Sequence, residues 1–293
     1  MSQSNQHIIA EAIKKLSQIE GIKTLCHQQH EGTPMPSVEV LEEIVTLARS
    51  IIFPGYFGNA SVNKNTLKYH IGESVENLKR LLTEQVLAGL CFDMKENTDS
   101  ASCFQQASDI AVELISRLPN IRETLTTDVI AAYNGDPAAK NYGEIIFCYP
   151  AVRAISNYRI AHELLLLGVP LIPRIITEIA HSETGIDIHP GAKIEEYFAI
   201  DHGTGVVIGE TAIIGKHVQL YQGVTLGAKS FPLDPDGNPI KGIDRHPILE
   251  DNVIIYSNAS ILGRITIGKG SVIGGNMWID SDVPAGSKFL QNK

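Results

Sequence analysis

Two short segments combine groups that move protons with groups that hold ions. Asp201-His202-Gly203-Thr204-Gly205 places an imidazole beside a carboxylate among glycines, and Asp244-Arg245-His246-Pro247 places a second imidazole beside a guanidinium. Imidazole titrates near neutral pH and suits general acid–base work. A guanidinium suits a carboxylate or a phosphate. A third segment, Cys26-His27-Gln28-Gln29-His30, has metal-ligand types, but no further Cys or His cluster completes four ligands at a readable spacing. The four cysteines, Cys26, Cys91, Cys103 and Cys148, show no CxxC spacing. A disulfide framework is therefore not expected, and a reducing cytoplasm fits.

The elements that position these segments are announced by a repeat. Apolar residues fall at Ile188, Ile194 and Ile200, then at Ile208, Ile214, Leu220 and Leu226, then at Leu249, Ile255, Ile261, Ile267, Ile273 and Ile279, with a step of six within each run. Gly follows at Gly209, Gly215, Gly227, Gly268 and Gly274. A period of six matches neither a helix nor a lone strand; it matches a short strand plus a turn. Three such units make one triangular coil of a parallel β-helix, whose handedness the spacing leaves open. The repeat breaks twice. Ile200 to Ile208 is eight residues, room for a bulge at His202, and Leu226 to Leu249 is 23, which expels a loop over 229–246. Departures from a regular scaffold, each carrying a His, are where chemistry is sought.

Upstream, the pattern is helical. Ser37 and Glu39 to Val45, Val75 to Leu90, Ala107 to Leu118 and Ala151 to Leu167 carry apolar residues at three-to-four spacing, with breaks at Asp136-Pro137 and Val169-Pro170. The expected class is α+β: a helical domain over 1–185, a β-helix over 186–285, and a short stub over 286–293. With 293 residues, 43% hydrophobic and 19% charged, the chain can bury a sizeable core. A net charge of −9 disfavours nucleic acid and anionic membranes as partners. No apolar run approaches the ~18 residues of a membrane span, and MSQSNQHIIAEAIKK does not read as a signal peptide.

These segments resemble the serine O-acetyltransferases of the hexapeptide-repeat acyltransferase superfamily. The resemblance also rests on Asp187-Ile188-His189-Pro190-Gly191-Ala192-Lys193-Ile194, Gly209-Glu210-Thr211-Ala212 and Gln222-Gly223-Val224-Thr225-Leu226-Gly227. Upstream, Gly135-Asp136-Pro137-Ala138 and Tyr158-Arg159-Ile160-Ala161-His162 belong to it. It is strong over roughly residues 130 to 285 and weak before them. It implies a left-handed coil and transfer of acetyl from acetyl-CoA to the hydroxyl of L-serine, giving O-acetyl-L-serine and CoA for cysteine biosynthesis. It implies no metal, and a homotrimer or dimer of trimers with sites between β-helices. By the same resemblance His202 is the general base and Asp187 its partner. Asp136, Asp201, Arg245 and His246 bind serine, and Gly227, Ala228 and Ser257 line acetyl-CoA. Carboxylates suit the substrate ammonium and Arg its carboxylate. Asp187 and His202 are fifteen residues apart, and the longer step after Ile200 is expected to bring them together.

Some residues carry a second reading. Asp136 before Pro137 is also a common helix-boundary pair, His189 reads as structural, and His162 and His217 read as scaffold or surface. Glu210 stays open between site and turn. The sequence departs from many relatives in lacking a GKSGG-like run, in having Tyr256-Ser257 where Gly-Ala is frequent, and in ending at Gln291-Asn292-Lys293. Many relatives dock a longer tail ending in Ile into O-acetylserine sulfhydrylase; this chain is expected not to form that complex. The alternatives are another hydroxyl acceptor, such as homoserine or a sugar, or a β-helix scaffold or metal-dependent hydratase using His202, His217 and His246.

Overall fold

The structure, a computed structural model, describes residues 3–25, 34–58, 62–92 and 100–290. The Cys26-to-His30 segment and the tail from Gln291 to Lys293 lie outside the described residues. Among those described, seven α-helices precede the strands: α1 (Gln3–Leu16), α2 (Val38–Ile52), α3 (Leu67–Phe92), α4 (Ser100–Gly135), α5 (Tyr142–Cys148), α6 (Pro150–Leu166) and α7 (Ile172–Thr184). Their ends follow local chemistry. Ser37 caps α2 by accepting the Val40 N–H, and Asn141 caps α5 by accepting the Glu144 N–H. Pro150 opens α6, and Gly185, at φ 70°, closes α7 in the left-handed conformation that glycine adopts without strain. The apolar stripes of α2, α3 and α4 meet through Leu41, Ile44, Leu78, Leu82 and Leu114, all buried. Among the described residues no helix is long and apolar enough to cross a membrane.

From Asp187 the chain winds a left-handed parallel β-helix with three faces. Face one comprises Asp187–Ile188, Val207–Ile208, Thr225–Gly227, Ser260–Leu262 and Trp278–Ile279. Face two comprises Lys193–Ile194, Ile213–Ile214, Ile248–Leu249 and Thr266–Ile267. Face three comprises Ala199–Asp201, Gln219–Tyr221, Ile254–Ile255, Val272–Ile273 and Lys288–Phe289. The register stacks the repeat's apolar residues in columns: Ile188, Ile208, Leu226, Ile261 and Ile279 on face one, and Ile200, Leu220, Ile255 and Ile273 on face three. All of these are buried, each contributing about 1.5–3 kcal/mol relative to exposure. The excess between Gly227 and Ile248 leaves the coil as a loop, pinned by the Leu233–Pro239 bridge and by Lys229 to Asp280 at 3.0 Å.

One buried ion pair fastens the helices to the first coil. Arg159 of α6 grips Asp128 of α4 with two hydrogen bonds, at 2.7 and 3.0 Å. It also donates to the carbonyls of Ile194 and Glu195, while Asp128 accepts the Phe198 N–H. Tyr158 donates to the Ala192 carbonyl at 2.6 Å. Asp136, just past the end of α4, is thereby held over the coil that carries His202.

Candidate active site

His202 occupies the edge where face three turns into face one. It has φ 56°, and Gly203 and Gly205 have φ 94° and 81°. Asn258 and Asn276 take the same left-handed conformation at the same edge of later coils. In the column of those corners the earlier coils have Gly205 and Gly223, so His202 stands three residues before the corner, in the stretch that the longer step adds, and holds a left-handed backbone that Gly or Asn adopts more easily. The turn points the imidazole outward, with its side chain 74% exposed and Nε2 3.8 Å from Asp201 Oδ1. Neither ring nitrogen makes a hydrogen bond among the described residues. Beside it opens a cavity of about 370 Å3 lined by Asp136, Cys148, Tyr149, Pro150, Ala151, Ile200, Asp201, His202 and Thr204. Asp136 accepts hydrogen bonds from the Tyr149 hydroxyl and from the Ala138 N–H. These, with the His202 charge, hold its carboxyl below the usual range, so it is an anion near neutral pH. The same bond raises the Tyr149 hydroxyl to about 12.

Arg245 and His246 stand on another edge, where face one turns into face two. Thr211 organises them. Its hydroxyl accepts the N–H groups of Arg245 and His246 at 2.9 and 3.1 Å, and its own N–H donates to His246 Nδ1 at 3.0 Å. A ring whose Nδ1 accepts carries its proton on Nε2, so His246 is a neutral donor. Burial first, then the Arg245 charge, lowers it to about 4. Arg245 Nη2 meets Glu210 at 2.8 Å, and Arg264 ties down the Thr211 and His246 carbonyls. Gly209 leaves the space for the ring: a Cβ there would lie 2.1 Å from His246 Cδ2.

The two groups lie along opposite edges of face one and do not meet within a chain. Asp187, at the start of that face, sits 4.0 Å from Arg174 Nη2 and contributes with Glu210 and Arg245 to the field at His189. Among the described residues no hydrogen bond or ion pair joins it to His202. The longer step after Ile200 therefore does not bring the two together in one chain, because its extra residues are consumed by the turn that points His202 outward. Gly227 and Ala228 follow the Arg245 edge and Ser257 the His202 edge. His202, His217 and His246 do not converge: His217 stacks on Tyr197 at 4.3 Å, and the one group with metal-binding spacing among the described residues is Glu178, His181 and Asp187.

The relatives and solved structures to which the chain is similar share one activity in their names. A plasmid-encoded serine acetyltransferase of Synechococcus elongatus is 51% identical over 262 residues, 88% of this chain and 82% of that protein. The chain belongs to the serine acetyltransferase family. Among solved structures, Entamoeba histolytica serine acetyltransferase 1 in complex with L-cysteine matches with a TM-score of 0.73 and 38% identity, over 89% of this chain and 90% of that one. The Neisseria gonorrhoeae serine acetyltransferase in complex with serine matches with a TM-score of 0.55 and 27% identity, over 89% and 97%. No protein-family model matches the chain.

For a serine acetyltransferase, the structure adds residues that sequence reasoning did not single out: Tyr149 on Asp136, and Thr211 under His246. Tyr149 sits at a helix junction with no local signal. Thr211 was visible as part of a motif, but its partners lie more than 30 residues away. Two expectations arise here. Gly209→Ala forces the His246 ring aside. The overpacking should cost about 1–3 kcal/mol in thermal unfolding and raise the acceptor KM while leaving acetyl-CoA binding near normal. Titration of His246 should also show in stability. The unfolded chain binds this proton near 6.5 and the folded chain near about 4, so stability falls as pH drops through that window and is unaffected above it. Urea midpoints between pH 4 and 7.5 should show this slope, and His246→Gln should remove its share.

Proposed function

We propose that this chain transfers the acetyl group of acetyl-CoA to the hydroxyl of L-serine, releasing O-acetyl-L-serine and CoA for cysteine biosynthesis. The observation that carries the reading is the contrast among the motif histidines. His246 and His189 each have Nδ1 occupied by a backbone N–H, whereas His202 has no hydrogen-bond partner among the described residues at either nitrogen and stands beside two carboxylates and an open cavity. His202 takes the hydroxyl proton as the serine oxygen attacks the thioester carbon. The C–O bond forms, the C–S bond of the tetrahedral adduct breaks, and the imidazolium returns the proton to the CoA thiolate. Asp136 and Asp201 receive the serine ammonium. Arg245 and the Nε2–H of His246 receive its carboxylate. Gly227, Ala228 and Ser257 present small side chains to the acyl-CoA arm. The reaction assigns no role to a metal.

The two half-sites call for more than one copy. His202, Asp201 and Asp136 of one copy face Asp187, Arg245 and His246 of the next, in a trimer with face one turned inward. In this arrangement Asp187 orients His202 across the subunit boundary. Face one carries exposed Val207 and Trp278, and the loop carries exposed Phe231, Leu233 and Ile240 toward a neighbour. Cys91, Cys103 and Cys148 are free thiols, in keeping with a cytoplasmic enzyme.

An acceptor screen tests the chemistry. CoA release from acetyl-CoA should depend on L-serine over homoserine and sugars and persist in chelator; indifference to serine, or strict metal dependence, refutes the reading. A mixing experiment tests the assembly. Inactive His202→Ala and Arg245→Ala chains, mixed and reassembled, should recover part of the activity. Trp278 is the single tryptophan, so its emission should shift to the red when the assembly is diluted apart. A fully active monomer in sedimentation overturns this assembly.

A further inference from the structure

At the C-terminal end of α2 lies a guanidinium that has no hydrogen-bond acceptor among the described residues. Arg49 is only 8% exposed, and its Nε is enclosed with no hydrogen-bond partner. Among the described residues its guanidinium donates no hydrogen bond and forms no ion pair. Its neighbour is the face of Phe57, 4.1 Å from Cζ to the ring centroid, and Phe57 in turn stacks on Phe147 at 6.1 Å. An aromatic face attracts a cation but offers no acceptor for its N–H groups. The adjacent carboxylate, Glu183, is taken on both oxygens by Arg153 of α6. The cluster therefore holds two guanidinia against one carboxylate. Burial first, and Arg153 second, pull Arg49 down to about 10, while Glu183 acts in the opposite direction.

A guanidinium carries five N–H donors in a planar fork, and burying that fork without acceptors is among the most unfavourable arrangements in a protein interior. In Arg49 the Nε is enclosed without an acceptor, while the two outer nitrogens, also without an acceptor among the described residues, are left open to one arriving from solvent. The fork is held by packing beneath Phe57, and Arg153 Nη1 beside it makes no hydrogen bond among the described residues. This is a preformed place for an acceptor-only, doubly presenting ligand. Arg forks recognise such groups bidentately.

We propose that Arg49 and Arg153 form a site for a small oxyanion of the phosphate or sulfate type. The anion bridges the free edge of Arg49 and the outer nitrogen of Arg153, over Phe57. It is separate from the substrate cavity but connected to it, because Pro150 and Ala151, which line that cavity, begin the helix that carries Arg153. Glu183 competes for Arg153 and so sets how tightly the anion is held.

Equilibrium dialysis of the whole protein with labelled inorganic phosphate tests this. Saturating CoA is present to fill the acyl-donor site, and ionic strength is held constant with chloride. The expected result is one saturable site per chain, displaced by sulfate. Arg49→Met should weaken it by about tenfold or more, and Glu183→Gln should tighten it. In phosphate-free buffer, Arg49→Met should unfold at the same temperature as the parent or higher, since it removes an unpaired buried charge. The proposal is overturned if no saturable binding is seen, or if Arg49→Met binds phosphate like the parent. It is also overturned if Arg49→Met and Glu183→Gln each destabilise the protein and their effects do not add, which would make Glu183 the partner of Arg49. None of these outcomes depends on serine acetylation.

Discussion

His202→Ala should lower kcat by about 10²-fold or more, with acetyl-CoA binding near that of the parent. The serine hydroxyl is a poor nucleophile at neutral pH and needs a base within hydrogen-bond reach. The structure narrows the choice of base. His246 has its acceptor nitrogen committed to the Thr211 N–H, His189 has its own committed to the Gly191 N–H, and His162, whose Nδ1 donates to the Pro190 carbonyl, does not line the cavity. Among the described residues His202 has no such commitment, and it lines the cavity with Asp136 and Asp201. The loss should fall short of total, because water can take the proton while positioning by the other residues persists. Asp187→Asn should lose less, since it removes orientation rather than the base. Steady-state kinetics with serine and acetyl-CoA, together with CoA binding to the His202→Ala chain, decide the matter. Retention of near-parental kcat would place the base elsewhere.

Arg159→Ala should cost about 3–5 kcal/mol of stability, the largest expected among single changes outside the apolar core. Arg159 and Asp128 have side chains only 9% and 2% exposed. Deleting the guanidinium leaves a carboxylate enclosed with only the Phe198 N–H donating to it, and leaves the Ile194 and Glu195 carbonyls of the first coil without this donor. The cost therefore comes chiefly from the stranded charge. A paired replacement, Arg159→Met with Asp128→Leu, should recover most of it. The single change should also raise the serine KM, because Asp128 and Asp136 are carried by the same helix end, and its slackening moves Asp136 relative to His202. Urea unfolding followed by circular dichroism, with kinetics on the folded fraction, separates the two effects. A loss under 1 kcal/mol would mean that water reaches Asp128 once Arg159 is gone.

The columns of Ile and Leu, the corner glycines, the expelled loop and the motif residues were all readable in one dimension, because each depends on a repeat or on residues close together in the chain. The step of six has one physical solution, a strand-turn unit that sends an apolar residue inward at each step, so Leu249 to Ile279 announce their columns before any contact is known. The chemistry of Asp201-His202 and Arg245-His246 was likewise local. Three things were not. The hydrogen bond from Tyr149 to Asp136 and the cradle of Thr211 and Gly209 around His246 join residues that are distant in sequence. The neutral state of His246 follows from burial, which a sequence does not display. The separation of His202 from Asp187 depends on which way a corner throws its side chain. Eight residues between Ile200 and Ile208 say that a bulge exists, while the left-handed backbone at His202 decides that the imidazole points outward from the edge. The sequence by itself determined the architecture and the residue types of the site. Only the packing of helices on coil, and of coil on coil, decided which of them share an edge.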